Sequence, residues 1–453
     1  MRSVNPFTNK PVQDYQNHTE SEVSQIVDRV AQAWSSWKKT SFAERADYLL
    51  KLEDQLLHDR EQLAGTMVAE MGKIKREALG EIQKCAWVCR YYAENGARFL
   101  QNELVKTDAP ESYVSFQPLG TILAVMPWNF PFWQVFRFLA PALMAGNTAV
   151  LKHASNVPGC AMAIEETIRK AGMPGNIFRT LLIGGQEVAE LIRNPSIKAV
   201  TLTGSTPAGK SVAAAAGAAL KKTVLELGGS DPYLILADAQ IDEAAKLCVT
   251  SRLLNAGQSC IAAKRFIVQD PVYDQFRDAF LRYMLEARFG DPNDPETALG
   301  PLARHDLRDS LHKQVKESEE KGAKILCGGF IPEQEAAFYP PTILEHVSPG
   351  MPAWDEELFG PVASLIRVHS EEEAIDAANA TSFGLGAGIF TQSIAKAREL
   401  AEKKLEAGCV FINDFVKSDP RLPFGGMKES GYGRELAAFG IREFVNIKTI
   451  VIK

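Results

Sequence analysis

Between residues 121 and 227, short apolar segments alternate with longer helical segments, and this alternation constrains the fold more than any other feature of the chain. Each apolar segment is continuous and too short for a helix. Continuous apolar runs of this length are typical of parallel strands that helices cover on both faces. The pattern predicts a Rossmann-type domain with strands at 121–126, 148–152, 177–182, 197–202 and 223–227.

A second alternation of the same kind follows Gly228 and Gly229, with strands predicted at 232–236, 265–268, near 325, 362–366 and 410–412. Residues 20–100 form a predicted helical region ahead of the first sheet. A β-prone segment at 113–116 is predicted to form a hairpin. The β-prone tail, 446–453, has no partner nearby in sequence, so it is predicted to pair with that hairpin or with the edge of a neighbouring subunit.

The composition, 46% hydrophobic and 23% charged over 453 residues, is that of a folded globular protein and excludes a disordered or fibrous chain. Fifty basic and 56 acidic residues leave a net charge of -6 without a basic cluster, so neither nucleic acid nor a membrane surface is an expected partner. We find no secretory pattern or membrane-span-length apolar stretch, and therefore expect a cytoplasmic protein. Seven scattered cysteines without a CxxC pair favour neither disulfides nor a metal site.

Cys260 differs from the other cysteines in its surroundings. It lies in a small, polar, flexible segment, 255–265, that follows a predicted helix. Cys248 lies in a predicted helix and Cys409 in a predicted strand, where thiols usually fill the core. A loop cysteine with glycine nearby can approach a substrate. It becomes nucleophilic if its pKa falls below the free value of about 8.5. Cys260 is therefore the candidate nucleophile.

Two polar side chains could support such a nucleophile. Asn129 lies between Pro127 and Pro131, which stiffen the backbone after the first predicted strand. Its amide could donate to an oxyanion, or it could cap the next helix. Glu226 lies between two leucines at the junction of the two alternations. Apolar neighbours raise the pKa of a carboxyl and suit it to act as a base, although a buried glutamate is more often an ion-pair partner.

The turn that contains Thr203, Gly204 and Ser205 joins a predicted strand to a predicted helix with Pro207 near its start. Backbone N–H groups at such a helix start can bind a phosphate, and the Ser205 hydroxyl can add to them. An ordinary strand-to-helix turn explains the motif equally well. The usual GxGxxG signature of a dinucleotide site is absent from this domain.

Together these segments resemble the aldehyde dehydrogenase superfamily, and are most similar to bacterial succinate-semialdehyde dehydrogenases. The matching motifs lie at 127–131, 225–229, 257–265, 357–362, 423–428 and 430–435. The resemblance implies an aldehyde dehydrogenase-like α/β fold. Its Rossmann-type cofactor domain would take 1–102 and 119–228, its α/β catalytic domain 229–423, and its small β oligomerisation element 103–118 and 436–453. A homodimer or homotetramer is also implied.

The resemblance further implies a thioester mechanism. Cys260 would add to an aldehyde, and the Asn129 side chain and the Cys260 backbone N–H would hold the resulting alkoxide. After hydride transfer to a nicotinamide, Glu226 would activate water to hydrolyse the thioester. Because relatives that transfer the acyl group to coenzyme A often lack this glutamate, Glu226 favours hydrolysis to a carboxylic acid.

The implied cofactor is NAD or NADP. The family pattern places Lys152 at the adenosine ribose, Ser205 at a phosphate and Glu357 at the nicotinamide ribose. Members that bind NAD tightly usually carry a glutamate three residues after that lysine, and this chain has Ser155 there. A serine would not repel the 2′-phosphate of NADP, so NADP is predicted to be tolerated. The other predicted cofactor-binding residues are Trp128, Gly204, Leu227 and Phe359.

Arg137 lies eight residues after Asn129, where succinate-semialdehyde dehydrogenases carry an arginine. Its guanidinium could bind a substrate carboxylate with two hydrogen bonds, or it could form a surface or interface ion pair. The arginine that those enzymes often carry six residues before the nucleophile is Leu254 here. The other predicted substrate-binding residues are Trp133 and Phe136, which could equally be helix core, and Ser418, with Lys417 beside it.

The leading prediction is oxidation of a short carboxylated aldehyde, succinate semialdehyde, to the acid with NAD or NADP. An uncharged aliphatic or aromatic aldehyde is the alternative if Arg137 faces solvent. A cofactor-independent thiol hydrolase would use Cys260 and Asn129 but would leave Glu357 and the 203–209 turn unexplained. An intact nucleophile, oxyanion donor and base argue against a non-catalytic role.

Overall fold

The structure is a computed structural model that describes all 453 residues. It begins with a two-stranded hairpin and four helices: β1 (Arg2–Val4), β2 (Pro11–Asp14), α1 (Glu20–Trp37), α2 (Phe42–His58), α3 (Arg60–Met71) and α4 (Lys75–Phe99). Helices α1 and α2 both start at capping boxes, formed by Thr19 with Glu22 and by Ser41 with Glu44. None of the helices combines the length and apolar character needed to cross a membrane.

The next part of the chain begins with two strands and then alternates strand and helix from Thr121 onward. Its elements are β3 (Glu103–Leu104), β4 (Glu111–Pro118), β5 (Thr121–Met126), α5 (Trp133–Ala145), β6 (Thr148–His153), α6 (Pro158–Lys170), β7 (Phe178–Thr180), α7 (Val188–Arg193), β8 (Ile197–Thr203), α8 (Thr206–Ala218) and β9 (Lys222–Glu226). Every residue of α5 is buried, because this helix packs against α4 and α2 on one side and the sheet on the other.

The second half of the chain supplies a second set of strands and helices. They are β10 (Pro232–Ile235), α9 (Ile241–Leu253), β11 (Arg265–Gln269), α10 (Tyr273–Glu286), α11 (His305–Glu320), β12 (Lys324–Cys327), β13 (Thr342–Glu345), α12 (Pro352–Asp355), β14 (Val362–Val368), α13 (Glu371–Asn379), β15 (Gly386–Phe390), α14 (Ile394–Lys403), β16 (Cys409–Ile412), β17 (Gly431–Tyr432), α15 (Ala437–Glu443) and β18 (Val445–Ile452).

The first sheet has the strand order β17-β9-β8-β5-β6-β7. Strands β5 to β9 are parallel, as the apolar runs predict, and the predicted Rossmann-type domain is confirmed. The added strand β17 was not predicted, and it pairs antiparallel with β9. The carboxyl ends of β5, β8 and β9 lie at one edge of the sheet, where open α/β sheets bind their ligands.

The second sheet has the order β12-β13-β14-β11-β10-β15-β16 and is parallel except for β12. A segment that we call the Cys260 loop, residues 254–264, joins α9 to β11 at the carboxyl-end side of the first sheet. A hydrophobic core of 52 buried residues covers one face of the first sheet, and a smaller core of 17 covers its other face. A separate core of 46 buried residues surrounds the second sheet, so each sheet is stabilised by its own hydrophobic contacts.

The third sheet has the order β18-β4-β3. Strand β18 pairs antiparallel with β4 from Val445 opposite Pro118 to Ile452 opposite Glu111, so the tail pairs within its own chain, the first of the two predicted alternatives. Helix α15, which lies within the predicted oligomerisation element, packs on α4 and α5, where the Tyr92 hydroxyl donates to the carbonyl of Ala437 at 3.0 Å.

Candidate active site

Cys260 lies where two cavities of about 260 Å³ each meet, and it is the one residue that lines both. Its side chain is half-buried. The first, which we call the substrate-side cavity, is lined by residues that include Glu77, Lys84, Trp133, Arg137 and Ser418. The second, the nucleotide-side cavity, is lined by residues that include Trp128, Asn129, Gly204, Ser205, Leu227, Glu357 and Phe359. Cys260 can therefore be reached from two sides.

The Cys260 loop begins in a strained conformation. Asn255 and Ala256 have φ values of 56° and 52°, in the left-handed region that residues with side chains rarely adopt. Contacts from two helices hold the loop in place. The Glu77 carboxylate of α4 accepts the Asn255 backbone N–H at 3.1 and 3.2 Å, and Arg252 Nη2 of α9 donates to the carbonyl of Gly257 at 2.6 Å.

Lys264 fixes the other end of the loop. Its buried Nζ donates to the carbonyls of Ser259, Cys260 and Ala262 at 3.0, 2.9 and 3.1 Å. The same ammonium lies 3.4 Å from a carboxylate oxygen of Glu357. Lys264 therefore shapes the backbone around the cysteine and places a positive charge beside it.

Asn129 lines the nucleotide-side cavity together with Cys260. The Asn129 Nδ2 donates to the carbonyl of Gln258 at 3.1 Å, and the Asn255 Nδ2 donates to the backbone carbonyl of Asn129 at 2.7 Å. Asn129 does not cap α5, whose N-cap is Phe132. The Cys260 backbone N–H donates to no protein acceptor. One hydrogen on Asn129 Nδ2 and the Cys260 N–H are thus free to donate to an oxyanion.

The positive charges near Cys260 lower the pKa of its thiol, but burial raises that pKa by more. Burial raises the pKa of the Cys260 thiol to about 12, while the positive charges of Arg137 and Lys264 lower it. The carboxylates of Glu357 and Glu226 raise the pKa further. Cys260 is therefore a thiol at neutral pH in this structure, and the lowered pKa that a preformed nucleophile requires is not present.

Glu226 ends β9, and its side chain is buried with neither carboxyl oxygen hydrogen-bonded. Burial raises its pKa well above the ordinary range, Arg137 opposes that shift, and Glu435 adds to it. Glu226 lines neither of the two cavities. Its charge still acts to raise the pKa of Cys260.

Arg137 lines the substrate-side cavity, but its guanidinium does not face solvent. It forms a buried ion pair with Glu435 and donates from Nη2 to the Thr203 hydroxyl at 3.3 Å. Its plane also lies over the ring of Phe424, 4.8 Å from the centroid. Of the two predicted alternatives the structure shows an ion pair, with a buried partner instead of a surface or interface one.

The other predicted substrate residues divide between the cavity and the core. Trp133 and Ser418 line the substrate-side cavity, and Ser418 accepts a hydrogen bond from Lys84 at 2.8 Å. The prediction that Phe136 lines the channel is wrong, because its side chain is fully buried in the first core. A helix turns by about 100° per residue, so Trp133 and Arg137 share the cavity face of α5 while Phe136 points to the side.

The nucleotide-side cavity fits a dinucleotide. Trp128 and Phe359 meet edge to face there, with ring centroids 5.7 Å apart. The Ser205 hydroxyl makes no capping hydrogen bond at the start of α8, which leaves the first backbone N–H groups of the helix available to a phosphate. Glu357 accepts the Gly229 N–H at 3.1 Å and borders the same space.

Lys152 and Ser155 do not line this cavity. Both lie at the carboxyl end of β6, which neighbours β5, with Lys152 opposite Val125 in the register. Lys152 is half-buried without an ion-pair partner, and Ser155 is exposed. They are placed for a more distant part of a dinucleotide that extends along the strand ends.

Sequence reasoning missed four residues of this region: Glu77, Lys84, Lys264 and Glu435. Glu77 and Lys84 lie on an amphipathic helix where they resemble ordinary surface charges, so the sequence carries no signal for them. Lys264 lies within the motif around Cys260, but the sequence gives no sign that its ammonium is buried against the loop carbonyls. Glu435 belongs to a motif that was recognised without a role.

The fold and the site define the class: a two-domain α/β oxidoreductase with a cysteine between a nucleotide cavity and a substrate cavity. The sequence model described as the aldehyde dehydrogenase family matches residues 1–450. The chain belongs to the aldehyde dehydrogenase family.

Individual relatives cover the whole chain. It is 49% identical over 450 residues to a probable succinate-semialdehyde dehydrogenase [NADP(+)] of Synechocystis sp., and 48% identical over 453 residues to succinate-semialdehyde dehydrogenase [NADP(+)] 1 of Mycobacterium tuberculosis. Both alignments cover 99% of each chain. Among solved structures, succinic semialdehyde dehydrogenase from Streptococcus pyogenes, in complex with NADP+ as the cofactor, is 40% identical and matches with a TM-score of 0.97 over 100% of this chain and 99% of that one.

Proposed function

We propose that the protein oxidises succinate semialdehyde to succinate, with NADP or NAD as hydride acceptor. The observation that carries this proposal is the position of Cys260 at the meeting point of two cavities, one fitting a dinucleotide and the other bordered by Lys84, Arg137 and Lys417. Positive side chains around the second cavity favour an aldehyde that carries a carboxylate. The names of the relatives at 46–49% identity support the same substrate.

Catalysis begins with loss of the Cys260 proton to a base. The sulfur then bonds to the aldehyde carbon, and the carbonyl π electrons move to oxygen to give a tetrahedral alkoxide. Asn129 Nδ2 and the Cys260 backbone N–H donate to that oxygen. Arg137 and Lys264 stabilise the negative charge that passes from sulfur to oxygen, since both already lower the pKa of the thiol.

NADP or NAD, when bound, supplies the acceptor for the hydride that leaves the former aldehyde carbon as the thioester carbonyl forms. Glu226 acts in the second half of the reaction. Its side chain must rotate from its buried position toward Cys260, where contact with water lowers its pKa and lets it take a proton from water. The water oxygen bonds to the thioester carbon, the C–S bond breaks, and the Cys260 thiolate and succinate are released.

Lys152 and Ser155 are proposed to determine how the adenosine ribose is bound. The Lys152 ammonium has no ion-pair partner, and Ser155 replaces the carboxylate that would repel a 2′-phosphate. This pair supports use of NADP, the cofactor in the names of the two relatives compared above.

The proposal includes a homodimer or homotetramer in the cytoplasm. Strands β18 and β3 leave large apolar side chains exposed, among them Ile447, Val451 and Leu104, which a second copy of the chain would cover. All seven cysteines are unpaired, as in a reducing compartment.

A substrate panel tests the function. Semialdehydes of increasing length, butanal and benzaldehyde are each supplied with NADP, with NAD and with neither, and reduced nicotinamide is followed by absorbance while acid is measured by chromatography. Succinate semialdehyde is expected to give the highest kcat/KM, only with a cofactor present. Equal rates for butanal would favour an uncharged aldehyde, and acid release from a thioester without cofactor would favour a thiol hydrolase.

A further inference from the structure

Three basic side chains line the substrate-side cavity, and two of them are already neutralised. Arg137 is ion-paired with Glu435. Lys417 Nζ lies 2.6 Å from an Asp414 carboxylate oxygen. Lys84 is the one of the three without a carboxylate within ion-pair distance, although the more distant carboxylates of Glu81 and Asp419 act to raise its pKa.

Lys84 is held in place although it has no acidic partner. Its Nζ donates to the Ser418 hydroxyl at 2.8 Å and lies 4.3 Å from the centroid of the Trp133 ring. The ring face attracts the ammonium, and the hydroxyl fixes one of its three N–H donors. Two N–H donors of Lys84 and the hydroxyl hydrogen of Ser418 remain for a ligand.

The acids nearest to Lys84 are engaged elsewhere. Glu81, on the same helix, is ion-paired with Lys73. Asp419 lies 2.6 Å from Arg421. Glu77 accepts a backbone N–H of the Cys260 loop. A half-buried ammonium without an ion-pair partner gains more from a bound anion than one that a protein carboxylate already pairs.

We propose that Lys84 is a specificity-determining residue that binds the carboxylate of the aldehyde acid, with the Ser418 hydroxyl as its second donor. This inference rests on the proposed function and names the side chain that would select the substrate. Arg137 contributes N–H donors to the same cavity, but its charge is cancelled by Glu435. Lys84 therefore provides the net positive charge that separates a carboxylated aldehyde from an uncharged one.

The charge on Lys84 depends on pH. Burial and the neighbouring Arg137 of α5 lower its pKa to about 8, against the opposing effects of Cys85 and Glu81 on its own helix and of Asp419 after β16. An ammonium is charged below its pKa, so the charge is lost as the pH rises through about 8. The KM for succinate semialdehyde should therefore rise above that pH, and the KM for butanal should not.

The experiment compares Lys84→Met, Lys84→Arg and the matched control Lys75→Met, whose lysine lies on the same helix α4 but is paired with Glu61 and lines neither cavity. Each variant is assayed with succinate semialdehyde and with butanal at saturating NADP. For Lys84→Met the KM for succinate semialdehyde should rise at least about tenfold, the loss expected for a hydrogen bond to a charged group, with kcat and KM for butanal unchanged. Lys84→Arg should retain most of the affinity, and its KM should stay flat above pH 8.

If the wild type prefers succinate semialdehyde over butanal but Lys84→Met has the wild-type KM for succinate semialdehyde, the inference is overturned and the proposed function is left intact. A wild-type enzyme without that preference overturns the proposed function first, and the inference with it. If Lys84→Met does not fold, the pH dependence of KM in the wild type and in Lys84→Arg decides the question. An increase in KM in Lys75→Met equal to that in Lys84→Met would also contradict a specific role.

Discussion

Glu435 and Arg137 form an ion pair in which the side chains are only 4% and 2% exposed, directly beside the cavity that leads to Cys260. Buried ion pairs contribute little net stability, but loss of one partner leaves an unpaired charge in the interior. The charges of this pair also act on Glu226: Arg137 lowers the pKa of Glu226, and Glu435 raises it. Stability and electrostatics of the site are therefore linked through these two residues.

Replacement of Glu435 by glutamine should destabilise the protein. The uncompensated Arg137 charge should lower the free energy of unfolding by about 3 kcal/mol, measured from the urea midpoint. Asp47→Asn is the control, because Asp47 pairs with Lys51 on the surface, where both side chains are more than half exposed, and its loss should cost less than about 1 kcal/mol. An equal decrease in the free energy of unfolding in the two variants would show that loss of the buried ion pair destabilises the protein no more than loss of a surface pair.

Cys260→Ala should abolish turnover, and Glu226→Gln should retain one rapid turnover of hydride transfer before a slow steady state. The steady-state rate should fall by about 100-fold or more, since a general base is lost only from the hydrolytic half. Stopped-flow absorbance of the reduced nicotinamide measures both phases. Cys327→Ala, at a half-buried cysteine of β12 that lines neither cavity, serves as the control and should turn over normally. Undiminished steady-state turnover in Glu226→Gln would remove its role.

The raised pKa of Cys260 predicts slow alkylation of the cofactor-free enzyme at neutral pH. A thiol whose pKa is about 12 gains thiolate as the pH rises. The rate of inactivation by iodoacetamide should therefore increase about tenfold per pH unit between pH 7 and pH 9, since only the thiolate reacts. A rate that levels off below pH 8 would mean that Cys260 is already ionised, and would contradict the dominant effect of burial.

Ser155→Glu should change cofactor preference. A carboxylate beside the adenosine ribose would repel the 2′-phosphate, so the ratio of kcat/KM for NADP to that for NAD should fall by at least about tenfold, or about 1.4 kcal/mol. Ser155→Ala adds no charge and should leave the ratio nearly unchanged. If Ser155→Glu uses NADP as well as the wild type does, the 2′-phosphate lies away from the end of β6.

Gly257→Ala should disturb the Cys260 loop. Gly257 has a φ of 73°, and an added Cβ would lie 2.3 Å from the backbone of Gly360, so the chain must shift three residues before Cys260. We expect kcat to fall about 100-fold, the loss typical of a misplaced reacting group. Gly65→Ala is the control, because Gly65 lies inside α3 with no atom within 4 Å of an added Cβ, and it should gain up to about 1 kcal/mol in stability. Wild-type kcat in Gly257→Ala would show that the loop adapts.

Most of the fold could be predicted from the sequence, because the parallel strands of the first sheet and five of the seven strands of the second are short apolar runs, whereas β13 and β15 were not predicted. The predicted strand at 197–202 is observed as Ile197–Thr203, and 223–227 as Lys222–Glu226. Strand β17 could not be predicted, since Gly431 and Tyr432 alone carry no strand pattern and their pairing depends on β9.

The candidate site was predicted less completely. Motifs identified the residues near Cys260, but partners far apart in sequence decide what they do. The Arg137 guanidinium is neutralised by Glu435, and Lys84 meets Ser418 334 positions away. Helix periodicity alone could not say that Phe136 faces the core while Trp133 faces a cavity, because both belong to a helix that is buried on all sides.

The separation of the two cavities at Cys260 also has an evolutionary consequence. Apart from Cys260, no residue borders both spaces. Mutations in α4, α5 and the segment around Ser418, which line the substrate-side cavity, can alter which aldehyde binds without changing the residues that bind the dinucleotide. This division lets one ancestral fold give rise to enzymes for different aldehydes while the residues of the nucleotide-side cavity, and with them hydride transfer, are retained.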